Sequence, residues 1–348
     1  MFIKLLKEVG RGKRGARDLT YEEALEAAEW ILNRKATDAQ IAAFFIAQRI
    51  KMESVAELEA FVVAARKLAY RPAVQRGIDC TGPYDGRKKS YYASFATAFV
   101  LAAAGLPVTL HGSATLPPKR GITLHDMLIH LGIKVDELPQ QHFIDTAKET
   151  GVLYVPAESW CPPLAELRTI REELDMRTIL NTVEKLIDYS QSPYLVFGVF
   201  HNTVFNRMSE LFQHLNYERA LIVQGVEGSE DLFIDRPTRT FAVEGGQAKL
   251  DVIDPDLYGL ETPVPEDIEW TVQEQLKVTE EVLQGAGHVA FANQVLLNSA
   301  VRLHMAGKVD SVEQGMYICE PIIANGDAWQ LYTKWKQALL NKELKLEH

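Results

Sequence analysis

The sequence predicts a small all-helical domain followed by a larger α/β domain with a mostly parallel central sheet. Three segments within residues 1–72 begin with a capping box, in which Thr or Ser is followed three residues later by Glu or Gln. From Gly77 onwards, short apolar runs alternate with amphipathic stretches, an order typical of parallel β–α units. Arg71-Pro72 separates the two patterns, because proline does not continue a helix.

The N-terminal helices are predicted to begin after Thr20, Thr37 and Ser54. The hydroxyl of each accepts from the backbone three residues later, and apolar residues then recur at helical spacing. Short connections make these helices antiparallel neighbours. Residues 41–46 are apolar on most of the helix surface, so we expect this helix to be buried on all sides, against another domain or subunit as well as its own bundle.

The α/β pattern continues through the rest of the chain. Residues 231–262 are rich in β-branched and turn residues, which predicts a small antiparallel extension of the sheet. Residues 164–188 and 270–340 are predicted to be helical. Five short apolar runs are the predicted strands of the parallel sheet: 78–81, 107–110, 152–156, 194–199 and 220–223.

These patterns set the expected domain boundaries. The helical domain is expected at residues 1–72, with part of 164–192 joining it, and the α/β domain at residues 73–345. Residues 346–348, Leu-Glu-His, resemble the remnant of a purification tag and are assigned to neither domain.

Composition narrows the class of protein. Hydrophobic residues make up 47% of the 348-residue chain, which argues for a packed core and against disorder. No run of about 18 apolar residues occurs, so we expect no membrane partner. The N-terminal residues are too charged for a secretory signal, and three widely separated cysteines indicate neither a disulfide framework nor a metal motif. We therefore expect a cytoplasmic protein.

Residues 79–112 predict an anion-binding site. An apolar run ends in a turn containing Gly82, and a basic, hydroxyl-rich segment then leads into a helix of small residues. The first N–H groups of a helix lack partners and its dipole favours negative charge, so such a turn suits phosphate. The glycine spacing is not that of the Walker or dinucleotide-binding motifs.

Basic and aromatic residues interleave in this stretch. Arg87, Lys88 and Lys89 stand beside Tyr91 and Tyr92. In a cleft, such a cluster binds phosphates and stacks on bases. Charge runs are also common in solvated loops, and the net charge of −10 disfavours a nucleic-acid-coating protein. Both interpretations remain open.

Further motifs run along almost the whole chain. They lie at 19–24, 40–51, 98–105, 111–112, 171–181, 197–201, 218–228 and 295–308. In order and spacing they resemble the anthranilate phosphoribosyltransferase family. The resemblance implies the two-domain fold and a homodimer formed through the helical domain. It also implies transfer of phosphoribose from phosphoribosyl pyrophosphate (PRPP) to an aromatic amine, with Mg²⁺ as cofactor.

The resemblance and the basic cluster together define the candidate site. Ser94, Glu230 and Asp231 are expected to hold Mg²⁺ through oxygen ligands, and Arg171 matches the arginine that meets the substrate carboxylate in the family. No residue is assigned a covalent catalytic role. The expected substrate or phosphate contacts are Thr81, Gly82, Asp85, Gly86, Lys88, Lys89, Ser90, Ser94, His111, Gly112, Lys119 and Arg171.

The candidate site departs from the family's pattern at the phosphate loop. Cys80 replaces the first glycine of that loop, and Pro83-Tyr84 replaces the middle ones. Proline removes a donor N–H and tyrosine adds bulk where the backbone approaches phosphate. Tyr92 replaces an amide side chain of the family pattern, and Phe95 replaces a hydroxyl side chain. The sequence therefore predicts a divergent, impaired donor site.

Two functions from different classes remain open. The first is phosphoribosyl transfer from PRPP to an amine or aromatic acceptor. The second is non-catalytic binding of single-stranded nucleic acid by a homodimer of the same fold, which the basic cluster favours. A divergent branch of the family is associated with such binding, and the chain resembles that branch at residues 184–186 and 111–112. Each candidate residue also has a structural interpretation. Arg171 would then be a surface charge, His111 would have a structural role, and Glu230-Asp231 would form a solvated acidic turn.

Overall fold

The computed structural model describes residues 1–12 and 14–341. The predicted fold class is confirmed: four N-terminal helices precede an α/β domain built on a seven-stranded sheet. No helix within the described ranges is long and apolar enough to cross a membrane. Residues 346–348, the suggested tag remnant, lie outside the described residues.

The helical domain begins its helices where the capping boxes predict. The hydroxyls of Thr20, Thr37 and Ser54 each accept from the backbone N–H three residues later, and the reciprocal side-chain bonds are also present. Each box satisfies helix N–H groups that otherwise lack partners. The four helices are α1 (Phe2–Val9), α2 (Tyr21–Leu32), α3 (Asp38–Lys51) and α4 (Val55–Leu68).

The sheet is parallel except at one edge, in the order β3-β2-β1-β4-β5-β6-β7. The first five strands pair in parallel, while the last two add antiparallel neighbours and confirm the predicted extension. The strands are β1 (Ile78–Thr81), β2 (Val108–Gly112), β3 (Val152–Pro156), β4 (Tyr194–Gly198), β5 (Arg219–Val223), β6 (Thr238–Glu244) and β7 (Gln247–Ile253).

Helices cover the sheet and link it to the helical domain. Those between the strands are α5 (Ala93–Ala103), α6 (Leu124–His130), α7 (Gln140–Thr150), α8 (Ala157–Trp160), α9 (Pro162–Glu166), α10 (Arg168–Leu174), α11 (Leu180–Val183) and α12 (Phe205–His214). The C-terminal helices are α13 (Val272–Leu283), α14 (Val289–Met305), α15 (Val312–Ala324) and α16 (Asp327–Leu340).

Residues 164–188 are largely helical, as predicted, but they form several short pieces. The segment breaks into α9, α10 and α11, followed by a short 3-10 turn at Glu184–Leu186. Asp175 adopts a left-handed conformation with φ 49° and ends α10. Asp tolerates this conformation better than most residues, because its short polar side chain bonds locally.

The broken segment connects the two domains. Helix α10 packs against α3, and α11 packs against α4. Arg71 donates to the Asp188 carboxylate at 2.9 Å, and Arg66 donates to the Leu186 carbonyl at 3.0 Å. Residues 184–188 are therefore held between the helical domain and the sheet.

Two glycines bring a second loop onto the end of β4. A Cβ on Gly198 would lie 2.1 Å from the carbonyl carbon of Ser229, and one on Gly225 would lie 2.3 Å from the carbonyl oxygen of Asp231. No side chain fits at either position. The segment 225–231, here called the acidic turn, thereby lies at the carboxyl ends of the parallel strands, where α/β proteins bind ligands.

Candidate functional site

The candidate site lies between the acidic turn and residues 82–92, here called the β1–α5 loop. Gly86 has φ +74°, and the loop then pairs with residue 122, with Arg87 N–H donating to the Ile122 carbonyl at 2.9 Å. This pairing fixes the direction of the Arg87 side chain. Ser94, at the start of α5, donates its N–H to Asp231 at 3.1 Å. The two segments are therefore in direct contact.

Arg87 is fully buried between these two segments. Its Nη1 lies 2.6 Å from Asp231 Oδ2, and its Nη2 lies 3.6 Å from Glu230 Oε2. Nη2 also donates to Ser94 Oγ at 3.4 Å. A buried charge is stable only when it is paired and hydrogen-bonded. The Asp231 carboxylate satisfies that requirement, while Glu230 adds a longer ion pair and keeps its Oε2 without a hydrogen-bond partner in the described part of the chain.

The residues predicted to hold Mg²⁺ are brought together, but they do not fit the ion in this arrangement. The second oxygen of Asp231 lies 2.9 Å from Nη2 of a second buried arginine, Arg302. Both Asp231 oxygens are therefore paired with guanidinium groups, and Ser94 Oγ accepts from Arg87. The structure contains no group of three or more His, Cys, Asp or Glu side chains suited to a metal in the ranges it describes. Arginine thus engages Asp231 and Ser94, whereas the Oε2 of Glu230 has no hydrogen-bond partner among the described residues.

A carboxylate fills the predicted phosphate position. Glu227 accepts from Lys88 N–H at 3.1 Å, from Lys89 N–H at 2.9 Å and from Ser90 Oγ at 2.7 Å. Although burial opposes it, these bonds lower the pKa of Glu227, so its carboxylate is charged at neutral pH. The side chains of Lys88 and Lys89 are exposed. The turn Lys88–Ser90 is thus an anion-binding turn, occupied by the protein's own carboxylate.

The predicted substrate arginine also has an internal partner. Arg171 and Glu184 form a two-pronged ion pair, with distances of 2.6 and 2.9 Å, and their side chains are 2% and 1% exposed. The reading of Arg171 as a surface charge is therefore wrong. The resemblance implies that Arg171 binds a substrate carboxylate. In this structure the Glu184 carboxylate occupies the guanidinium group that such a substrate would contact.

His111 lies in a buried polar chain rather than at an open surface. Its Nδ1 is 2.6 Å from the Tyr84 hydroxyl, and its Nε2 is 3.2 Å from Asp79 Oδ1. Tyr84 stands in the loop where the family has glycine, and its side chain is buried. The arrangement agrees with a structural role for His111, because both ring nitrogens face protein groups.

A basic–aromatic pocket of about 440 Å³ opens on the outer side of the β1–α5 loop. Lys88 and Lys89 line its rim, and Arg236 covers the Phe233 ring with its guanidinium carbon 3.9 Å from the ring centre. Two carboxylates, Asp235 and Glu266, also line this pocket, so its charge is mixed. Its aromatic lining is Tyr91, Phe233, Trp270 and Phe291.

Comparison with known proteins identifies the family. Residues 81–329 match the α/β domain of a glycosyl transferase family, and residues 3–69 match the helical bundle domain of the same family. The chain belongs to this glycosyl transferase family. The two matched regions together span the helical bundle and most of the sheet domain.

Relatives of similar length are anthranilate phosphoribosyltransferases. The enzyme of Thermomicrobium roseum is 30% identical over 318 residues, covering 89% of this chain and 90% of that protein. The enzyme of Persephonella marina is 28% identical over 337 residues, covering 96% and 98%. An uncharacterised protein of Aquifex aeolicus is 29% identical over 314 residues, covering 90% and 96%. These matches confirm the resemblance.

Solved structures show the same fold. Anthranilate phosphoribosyltransferase from Thermus thermophilus aligns with a TM-score of 0.83 at 24% identity, covering 97% of this chain and 99% of that one. The enzyme from Saccharomyces cerevisiae, in complex with PRPP and Mg, aligns with a TM-score of 0.81 at 16% identity, covering 97% of each chain. The glycosyl transferase fold therefore extends over nearly the whole chain.

Several family-like contact residues serve the protein's own structure here. Thr81 donates its hydroxyl to the Val196 carbonyl at 3.0 Å. Asp85 pairs with Lys119 at 3.2 Å and with Arg177 at 2.9 Å. Asp85 is therefore paired with two cations of the protein itself.

The three predicted site glycines differ in the space around them. A Cβ on Gly82 would lie 3.2 Å from the Glu230 carboxylate, and one on Gly86 would lie 2.4 Å from the Gly121 carbonyl. A Cβ on Gly112 would meet nothing closer than 3.8 Å. Close backbone packing requires glycine at position 86, a Cβ at position 82 would require small shifts of the Tyr92 and Glu230 side chains, and Gly112 is not restricted in this way.

Four residues of the site were missed or left without a role by sequence reasoning. Arg87 stood in the recognised basic cluster, and Lys185 in the recognised change at 184–186, but neither had an assigned partner. No sequence pattern around Glu227 or Arg302 indicated a role in the site. Lys185 donates to the Gly198 carbonyl at 2.7 Å, and burial lowers its pKa to about 7, against the opposing charge of Glu230.

The Arg171–Glu184 pair gives a stability test. Arg171→Met leaves the Glu184 carboxylate buried without its partner, so we expect the free energy of unfolding in urea to fall by about 3–5 kcal/mol. Glu184→Met should lose a similar amount, because Arg171 is then unpaired. The double variant replaces both charges with apolar groups and should recover most of the loss.

The matched control is Arg76→Met, since Arg76 and its ion-pair partner Glu218 are both exposed. This variant should lose about 1 kcal/mol or less. If Arg171→Met unfolds like the wild type, Glu184 does not depend on Arg171, and the assigned pairing is wrong.

Proposed function

We propose that the protein binds a phosphorylated sugar donor of the PRPP class, and transfers its phosphoribosyl group, without using Mg²⁺. The observation that carries this proposal is the buried Arg87 guanidinium, which lies against both carboxylates of the expected metal pair. The protein thereby supplies its own positive charge at Glu230 and Asp231. Membership of the glycosyl transferase family supports the reaction class.

The donor contacts come from the β1–α5 loop. Two consecutive N–H groups and one hydroxyl of Lys88–Ser90 converge on a single anionic group, which at present is Glu227. A diphosphate offers the same kind of oxygen acceptor with more charge. Lys119, which is near both Asp85 and the Glu227 carbonyl, adds a cation on the inner side. Transfer of this kind requires positioning and electrostatic stabilisation rather than covalent catalysis.

The acceptor side supports a substrate other than anthranilate. A carboxylate-bearing acceptor needs an available cation, and the Arg171 guanidinium is already bound on both sides by Glu184. Displacing Glu184 would leave a buried carboxylate without a partner. We therefore propose an amine or aromatic acceptor that has no carboxylate at this position.

The helical domain supports a homodimer as part of this proposal. In the single chain one side of α3 remains uncovered, since Ala43 and Ile50 are exposed and Ile46 is half-buried, so burial on all sides requires a partner subunit. These residues line an apolar groove of about 1270 Å³, together with residues of α1. A second copy of the chain is the occupant that the family resemblance implies for this face.

PRPP binding with and without metal tests the donor site. We expect calorimetric titration with PRPP to give the same affinity, within about twofold, in EDTA and in excess Mg²⁺. Lys119→Gln should weaken binding about tenfold, because it removes a cation worth about 1.4 kcal/mol. The matched control is Lys134→Gln, which changes an exposed lysine in the turn at residues 133–138. This variant should bind PRPP as the wild type does. Binding that requires Mg²⁺, or no binding in either buffer, contradicts the proposal.

A second candidate function is binding of single-stranded nucleic acid, and the basic–aromatic pocket is the observation that favours it. Lys88, Lys89 and Arg236 stand beside Trp270 and Phe233, a combination that holds phosphates and stacks bases. The carboxylates in the same pocket and the net charge of −10 make this the weaker candidate.

Salt dependence tests the nucleic-acid candidate. A fluorescent single-stranded oligonucleotide should bind with an affinity that falls steeply as salt rises, and Lys88→Glu with Lys89→Glu should abolish that binding. Lys134→Glu with Lys148→Glu changes the net charge equally and should have little effect. A complete lack of anisotropy change at low salt excludes this function.

A further inference from the structure

Glu227 is the only acidic side chain among the described residues whose carboxylate is bound by backbone N–H groups of the β1–α5 loop. Its Oε2 receives the Lys89 N–H and the Ser90 hydroxyl, and its Oε1 lies 3.1 Å from Lys88 N. These donors are the ones a phosphate group would use. The carboxylate therefore stands where an oxygen-rich anionic ligand would bind.

The backbone of Glu227 is unfavourable by itself. Glu227 has φ 53° and ψ 23°, in the left-handed region that residues other than glycine, asparagine and aspartate seldom adopt. It lies between Gly225 and Gly228, and Gly225 is held against Ser229 and Asp231. The hydrogen bonds of the carboxylate are the evident compensation for this conformation. If those bonds were lost, Glu227 would be free to leave the left-handed conformation, so their loss would relieve backbone strain.

The β1–α5 loop and the acidic turn are joined by two contacts, one made by a side chain of each segment. Arg87 of the β1–α5 loop binds Asp231 of the acidic turn, and Glu227 of the acidic turn binds the backbone of Lys88 and Lys89. The Arg87 contact is fully buried, whereas Glu227 is half-buried and its neighbouring lysine side chains are exposed. The buried contact holds the segments together, so the outer contact can open without separating them.

We propose that Glu227 is a built-in competitor for the anion-binding turn Lys88–Ser90, and that a phosphate or diphosphate group of the ligand displaces it. This inference rests on the proposed donor site and specifies how that site is controlled. A ligand must replace three hydrogen bonds to one carboxylate, which a diphosphate does with more oxygens and more charge than a carboxylic acid. The apparent affinity of the wild type is lowered by the fraction of time that Glu227 occupies the turn.

Inorganic pyrophosphate is the probe that tests the competition. Calorimetric titrations in EDTA should compare the wild type with Glu227→Gln and Glu227→Gly. The glutamine variant keeps the size of the side chain but loses its charge, and the glycine variant removes the side chain and suits the left-handed backbone. We expect both variants to bind pyrophosphate at least tenfold more tightly than the wild type.

Glu261→Gln is the matched control, because it changes the net charge equally at an exposed position. It should bind pyrophosphate as the wild type does, which separates competition from a general charge effect. Equal affinity in the wild type and both Glu227 variants would overturn the competitor role while leaving the donor site in place. Weaker binding by both variants would also overturn it. Absence of binding in every protein would overturn the donor site and the competitor together.

Discussion

The contact between Arg87 and the Glu230–Asp231 pair is the interaction on which the site depends. Its guanidinium is removed from water, and it lies 3.9 Å from the centre of the Tyr92 ring on one side, with the carboxylates on the other. Burial of an unpaired charge costs several kcal/mol, so neither partner tolerates loss of the other. This contact is the buried one of those that hold the acidic turn on the β1–α5 loop.

The same contact decides what the other groups of the cleft do. With Asp231 held by Arg87 and Arg302, its carboxylate has no oxygen left for a divalent cation. With the two segments in contact, Glu227 reaches the anion-binding turn. In this cleft Arg87, Arg302 and the N–H groups of Lys88 and Lys89 therefore bind carboxylates of the same chain. Ligand binding to such a site is an exchange of partners rather than the filling of an open pocket.

The fold followed from local patterns in the sequence. Capping boxes marked the helix starts at Thr20, Thr37 and Ser54 because the bonds they make lie within four residues. Alternating apolar runs marked the strands because each is short and buried. The breaks within residues 164–188 were not predicted, because they depend on features such as the left-handed conformation of Asp175, which no local spacing shows.

The site was predictable only in part. Family-like motifs placed Ser94, Glu230 and Asp231 together, and the structure agrees with that placement. The partner of these residues was not predictable, because Arg87 and Asp231 are far apart in sequence and a basic run usually forms a solvated surface. Glu227 was overlooked for the same reason. Contacts between distant loops depend on the tertiary fold, and a single sequence records no pairing between them.

Binding of Mn²⁺, followed by electron paramagnetic resonance, tests the central claim that Arg87 takes the place of the metal. Wild-type protein and the control Arg236→Ser should leave the spectrum of the free ion unchanged. Arg87→Ser removes the cation from Glu230 and from the Oδ2 of Asp231, while Arg302 keeps its bond to Oδ1, and this variant should bind Mn²⁺. The account is contradicted if wild-type protein binds Mn²⁺ and Asp231→Asn abolishes that binding.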